Sequence, residues 1–279
     1  MLEFQLFRVK VFFPAQLPLL ERPPSRQEIL KQAIESLPSA ESRRGLVWHI
    51  GNVAPVDRTG LYLRLGRTTT TTVEVFEDGR FRDQTFETAP YTHALIDLDL
   101  EVCAIAKKTR LSPTIKGIAN QFARLLQESR RAMEFQITFE ISELADPEDF
   151  ISHLRTAYAI SKFTVWFSQP NPFDVNEDFI GPAQRLVRES NSHQGKTELK
   201  GDNLNSDVLT DITRSAASTG DDAVAWLKPS QRQRRVKKRL KGSSVNVPQQ
   251  HVDDLPARQT LLDKVRDLYR RIRQGGGRV

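Results

Sequence analysis

The stretch Gly60–Phe81, GLYLRLGRTTTTTVEVFEDGRF, decides how the rest of the chain reads. It is dense in β-branched and aromatic residues and punctuated by Gly60, Gly66 and the turn dipeptide Asp78-Gly79, which is the composition of paired strands. The run Thr68–Thr72 has the look of low complexity. Threonine is a good strand residue, however, and Val73, Val75 and Phe76 continue the pattern, so the run reads as a polar strand and not as a linker. GLVWHIGNV (45–53) before it and HALIDLDLEVCAIA (93–106) after it have the same character. Together they predict an antiparallel β-meander of four or five strands.

Working outward, Phe4–Phe13 alternates as a strand, with Phe4, Leu6, Val9, Val11 and Phe13 toward one face and Pro14 ending it. The apolar N-terminus is interrupted by Glu3, Arg8 and Lys10 and is too short for a membrane span. Ser25 caps a helix carrying Ile29, Leu30, Ala33, Ile34 and Leu37, stopped by Pro38. Beyond the meander, Ser112-Pro113 opens a helix whose stripe is Ile115, Ile118, Ala119, Phe122, Leu125, Leu126 and Met133. A second unit follows: strand EFQITFEI (134–141), a helix behind Asp146-Pro147 with Phe150, Leu154 and Tyr158, strand KFTVWFSQ (162–169), and a helix from Asn176 through Phe179, Ile180, Ala183 and Val187. Residues Ser190–Asn205 read as a polar loop, SDVLTDITRSAAS (206–218) as a short helix and AVAWL (223–227) as a strand. Val236, Leu240, Val245 and Val247 suggest an irregular hairpin turning at Gly242, and a last helix runs from Gln259 to Gln274. The terminal GGGRV is expected to be disordered.

The expected fold class is therefore α+β: an antiparallel β-meander with packed helices, arranged as two ferredoxin-like (split βαβ) halves. The expected domains are 1–133, an N-terminal α+β half; 134–227, a second α/β half; and 228–279, a basic hairpin with a basic C-terminal helix.

Of 279 residues 38% are hydrophobic and 27% charged, as in a folded soluble protein. The net charge of +6 is unevenly spread. From Lys228 onward 15 Lys or Arg face 4 Asp, giving +11, while the preceding residues carry −5. A polyanion is drawn to that basic end. Cys103 stands alone, which excludes a disulfide framework and a multi-cysteine zinc site and fits a reducing, cytoplasmic setting. The five histidines share no metal-ligand spacing. Walker A, dinucleotide and serine-hydrolase motifs are absent from the sequence.

The strongest functional signal is KPSQRQRRVKKRLK (228–241), eight cations without an acid. Arg forks and Lys point charges suit phosphate, so Arg232, Arg234, Arg235, Lys237, Lys238, Arg239 and Lys241, with Arg266, Arg270 and Arg273 of the last helix, are the expected nucleic-acid-binding residues, for RNA or DNA. Trp226 nearby could stack on bases or be core. Solvated charge, or docking on an acidic protein partner or a second copy in a homo-oligomer, is the competing explanation. A second constellation is Asp97, Asp99 and Glu101, which on a strand share one face. With His93 and Lys107 close in sequence they form the inventory of a metal-dependent nuclease holding Mg²⁺ or Mn²⁺. The same letters describe a half-exposed strand with an acidic outer face. The segment PNPFDVNED (170–178) follows a strand end, where sites often form, and is equally explained as a turn and helix cap.

With SPTIKGIANQFARLL (112–126), PNPFD (170–174) and the late basic segment, the chain resembles bacterial proteins of this size found beside phage-defence or toxin genes. The resemblance implies no catalytic residue. Ferredoxin-like halves are similar to the repeat-associated RNA-binding proteins of CRISPR systems, whose catalytic histidine and glycine-rich loop have no counterpart here. The expectation is a cytoplasmic nucleic-acid-binding component of an anti-phage or toxin-like system, without cofactor and without a membrane partner. The alternatives are the nuclease and the adaptor.

Overall fold

The computed structural model describes residues 1–14, 24–42, 45–168, 180–190, 192 and 194–274. The segment 170–178 and the terminal 275–279 lie outside the described residues. So does the start of the helix expected from Asn176.

The chain is a mixed α and β protein built on antiparallel sheets. β1 (Leu2–Phe12) is buried on both faces: Phe4 and Leu6 join one apolar cluster, and Phe7, Val9 and Val11 the other. This corrects the expectation of a strand with one core face, because α-helices cover the sheet on both sides. β2 (Ser39–Glu41), β3 (Val47–Pro55), β4 (Gly60–Arg67), β7 (Tyr91–Asp97) and β8 (Val102–Ala106) extend the sheet from β1 in the order β1-β8-β7-β4-β3-β2. On its other edge β1 is shared. Leu2–Gln5 pairs with β14 (Asn246–Gln249), and Phe7–Phe12 pairs with β9 (Thr138–Glu143). The threonine run is strand, as expected: β5 (Thr69–Glu77) and β6 (Arg80–Thr88) form a separate two-stranded ribbon.

Four layers result. On one side of the large sheet lie α1 (Arg26–Glu35), α2 (Ile115–Gln127) and α3 (Arg130–Glu134), packing Ile29, Ile34, Ile118, Phe122 and Leu126 onto Leu63, Leu65, Ile96 and Ile105. Ser25 and Glu28 form a reciprocal capping box at α1, while Thr114, rather than Ser112, caps α2. On the other side are α4 (Glu148–Thr156), α6 (Ser206–Thr219) and α7 (Leu255–Gln274), whose buried Phe150, Leu209, Leu261 and Val265 share a cluster with Tyr62, Leu95 and Val102. The fourth layer is a smaller antiparallel sheet in the order β11-β10-β12-β13: Gln194–Lys200, Ala159–Ser168, Ala223–Lys228 and Val236–Arg239. α5 (Ile180–Glu189) lies beside β10 and β11.

Three expectations change. Residues 194–200 form the edge strand β11 and not a loop, because Lys196, Glu198 and Lys200 alternate with Gly195, Thr197 and Leu199. The turn at Gly242 closes no hairpin: β13 pairs with β12 in the small sheet, whereas β14 pairs with β1 in the large one. Ferredoxin-like halves are not confirmed, since β9, which opens the second stretch, is hydrogen-bonded to β1.

Gly220 sets how the small sheet meets the large one. It ends α6 with a left-handed φ of 69°, and a Cβ there would lie 2.9 Å from Ser142 Cβ and 3.3 Å from the Glu143 carbonyl. The close approach delivers Asp221 to Lys10 Nζ (2.8 Å) and Ser168 (3.0 Å).

Candidate nucleic-acid interface

Among the described residues, helices pack against one face of the small sheet. Phe163, Val165, Ala225 and Leu227 point toward them and are buried. The two-residue alternation therefore turns Lys162, Thr164, Trp166 and Ser168 of β10 to the outer face, beside Lys196, Glu198 and Lys200 of β11, Val224 and Trp226 of β12, and Lys237 and Arg239 of β13. Trp166 and Trp226 are half-buried there, whereas the third tryptophan, Trp48, is core at 4% exposure.

Lysines crowd these rings. The ammonium of Lys162 lies 4.7 Å and that of Lys237 5.3 Å from the centroid of Trp226, and Lys196 lies 5.7 Å from Trp166. Glu198 sits 2.8 Å from Lys162 and 3.0 Å from Lys200, with Lys196 at 3.9 Å, and the lysines hold its carboxyl down at about 2. One carboxylate is thus shared by three cations. Between the tryptophans Thr164 is 2% exposed, and among the described residues its hydroxyl has no hydrogen-bond partner. Such a group costs about 1–3 kcal/mol when dry.

Of the sequence-derived phosphate contacts, Arg232, Arg234 and Arg235 are exposed in the 229–235 loop between β12 and β13, at the edge of this face. Lys237 stands on the face itself. Lys238 points to the opposite side, opposite Ala225. Arg239 is held by Asp222 at 2.6 Å, and Lys241 is exposed beyond the strand. Arg270 is exposed beside Asp267 (3.1 Å), and Arg273 is half-buried near the end of α7.

Arg266 differs from all of these. Its guanidinium contacts Asp57 and Asp97 (both 2.6 Å) and the Thr59 hydroxyl (2.7 Å), and these carboxylates raise its pKa. Arg266 in turn holds the Asp57 carboxyl well below the usual carboxylate range. The arginine belongs to the part-buried contact between α7 and the large sheet, with Asp263 at 3.5 Å on its outer side.

The acidic constellation is also rearranged. Residues 98–101 form a turn and not a strand, with Asp97 Oδ1 accepting from Leu100 N–H (2.8 Å) and Glu101 at a φ of 50°. Asp97 is taken up by Arg266, Glu101 accepts from the buried Arg8 (3.2 Å), and Asp99 is exposed. The three carboxylates therefore do not share a strand face. Among the described residues no group of three potential ligands converges as a metal site would require. Lys107 donates its N–H to the Glu3 carbonyl (2.9 Å), and His93 bonds the Tyr62 hydroxyl (2.8 Å) with its pKa lowered by burial and then by Arg64.

Trp166, Lys162, Lys196 and Lys200 did not emerge from the sequence. The alternation in KFTVWFSQ separates Lys162, Thr164 and Trp166 from Phe163, Val165 and Phe167, and was the available signal. Among the described residues no helix is long and apolar enough to cross a membrane. No protein-family model and no curated protein sequence matches the chain.

Proposed function

We propose that the chain binds single-stranded nucleic acid across the outer face of the small sheet, with Trp166 and Trp226 as stacking platforms. Lys162, Lys196, Lys200 and Lys237 would track the phosphates, and Arg232, Arg234 and Arg235 would extend the path along the β12–β13 loop. The observation that carries this reading is the pairing of two accessible tryptophans with lysines on a sheet face turned away from the helices. Every base has a π-face, so stacking of this kind tolerates sequence, and the phosphate contacts make it salt-dependent. A lysine displaced from a tryptophan ring by a stacking base is already positioned beside the phosphate of the incoming nucleotide.

The competing nuclease reading loses its geometric support, because Arg266 already supplies the positive charge beside Asp97. Two measurements test the proposal. Purified protein is expected to carry a raised 260/280 nm absorbance ratio that falls on washing in high salt. Short RNA and DNA strands incubated with the protein and Mg²⁺ or Mn²⁺ are expected to be retained and to stay intact. Absence of binding at low salt overturns the proposal, and cleavage restores the nuclease.

A further inference from the structure

The β5–β6 ribbon is the outer half of a single long hairpin. Gly66 lies opposite Tyr91 in the large sheet, and three residues further out on each strand Thr69 lies opposite Thr88, so one register runs from the core to the tip. The turn is Asp78-Gly79, both at positive φ (51° and 74°), as a two-residue hairpin loop requires. Nine residue pairs at about 3.4 Å each carry the ribbon about 30 Å beyond the sheet. An isolated two-stranded ribbon is marginal in water, and this one exposes Phe76 (62%), Phe81 (82%), Val73 and Phe86, with neither outer strand edge paired among the described residues.

One face of this hairpin is polarised. At its base, Arg64 Cζ lies 4.3 Å and Lys108 Nζ 4.9 Å from the Tyr91 ring centroid, and Arg258 Cζ lies 3.9 Å from that of Tyr62. Among the described residues no carboxylate forms an ion pair with these three cations, and Asp253 acts on Arg64 only at longer range. Followed outward with period two, the same face carries Glu87, Glu74 and Asp83 without a cation, and ends in the Phe76–Phe81 pair (centroids 4.9 Å apart). The cations Arg80 and Arg82 fall on the opposite face.

We infer that the hairpin is a dimerisation arm, and that its occupant is the same arm of a second copy packed antiparallel across a two-fold axis. That arrangement sets the acidic, Phe-tipped end of each arm on the uncompensated Arg64, Lys108 and Tyr91 base of the other. It is self-complementary, as a two-fold contact requires, and covers Phe76 and Phe81 of both copies at once. A parallel arrangement would set acid against acid and cation against cation.

Sedimentation analysis of nuclease-treated protein at micromolar concentration and low salt tests the arm. The expected species has twice the 31.8 kDa chain mass. The double variant Phe76→Ser/Phe81→Ser is expected to be monomeric with an unchanged far-ultraviolet circular dichroism spectrum, since both rings are exposed in the single chain. The pairs Glu74→Lys/Asp83→Lys and Arg64→Glu/Lys108→Glu are each expected to be monomeric alone and to form a mixed dimer when combined, because mixing restores opposite charges at both contacts. A monomeric wild type overturns the inference, and so does a dimer that survives loss of both phenylalanines. Should the base variant fail to fold, the phenylalanine variant still decides.

Discussion

Around Arg266, one cation meets Asp57 and Asp97 closely and Asp263 at 3.5 Å where α7 packs on the large sheet, whereas on the outer face of the small sheet Lys162, Lys196 and Lys200 share Glu198, their one carboxylate partner among the described residues. Both clusters are strongly charged. The first is closed: its hydrogen bonds join α7 to the β3–β4 turn and the end of β7, and removing one partner strands the others. The second is open, with excess positive charge lying against aromatic rings in reach of solvent. Charge that is answered within the fold stabilises the fold, and charge that is left over is what an external anion can use.

The comparison breaks most visibly if the open cluster proves dispensable. Reversing Arg232, Arg234, Arg235 and Lys237, the exposed cations that continue that cluster along β13 and its loop, to Glu is expected to abolish oligonucleotide binding and flatten its salt dependence, with little change in the urea midpoint. For the closed cluster the expectation is the reverse. Arg266→Ala removes the cation from Asp57 and Asp97 and should cost about 1–3 kcal/mol of stability, read from urea unfolding, while the protein that remains folded binds as before. Trp226→Ala and Trp166→Ala should each weaken single-strand binding by about 1–3 kcal/mol in a titration. An unchanged affinity in both would remove the stacking platforms from the account.

Acid sharpens the contrast further. Arg266 depresses the folded-state pKa of Asp57, so this carboxylate contributes stability that is present above its unfolded pKa of about 4 and is lost as pH falls toward the lower folded value. Wild-type stability should therefore decline below about pH 4, and Asp57→Asn should show a shallower decline in the same urea series. The smallest effect is expected for Thr164→Val. Removing a buried, unpartnered hydroxyl should leave stability level or raise it by up to about 1 kcal/mol, with binding unchanged.

The meander, the helices bearing Ile29, Phe122 and Leu261, and the basic 228–241 segment were legible in the sequence, because local periodicity and local charge report on them directly. The pairing partners were not. Nothing local distinguishes β13 beside β12 from β13 beside β14, and that choice places Lys237 over Trp226. Asp97 and Arg266 are 169 residues apart, so the arginine read as a phosphate contact and the aspartate read as a metal ligand in fact neutralise each other. Trp166 was hidden for a different reason: β11, which flanks it, is polar enough to read as a loop. Once Lys196, Glu198 and Lys200 are placed on an edge strand, the outer face follows from alternation alone.

The central claim is tested most directly by intrinsic tryptophan fluorescence during titration with short single strands at rising salt. Trp48 is buried, so changes in emission report on Trp166 and Trp226. Saturable quenching that weakens steeply with salt and is lost in the double variant Trp166→Phe/Trp226→Phe is the predicted result. Binding that leaves the emission unchanged, or no binding at low salt, would contradict the account.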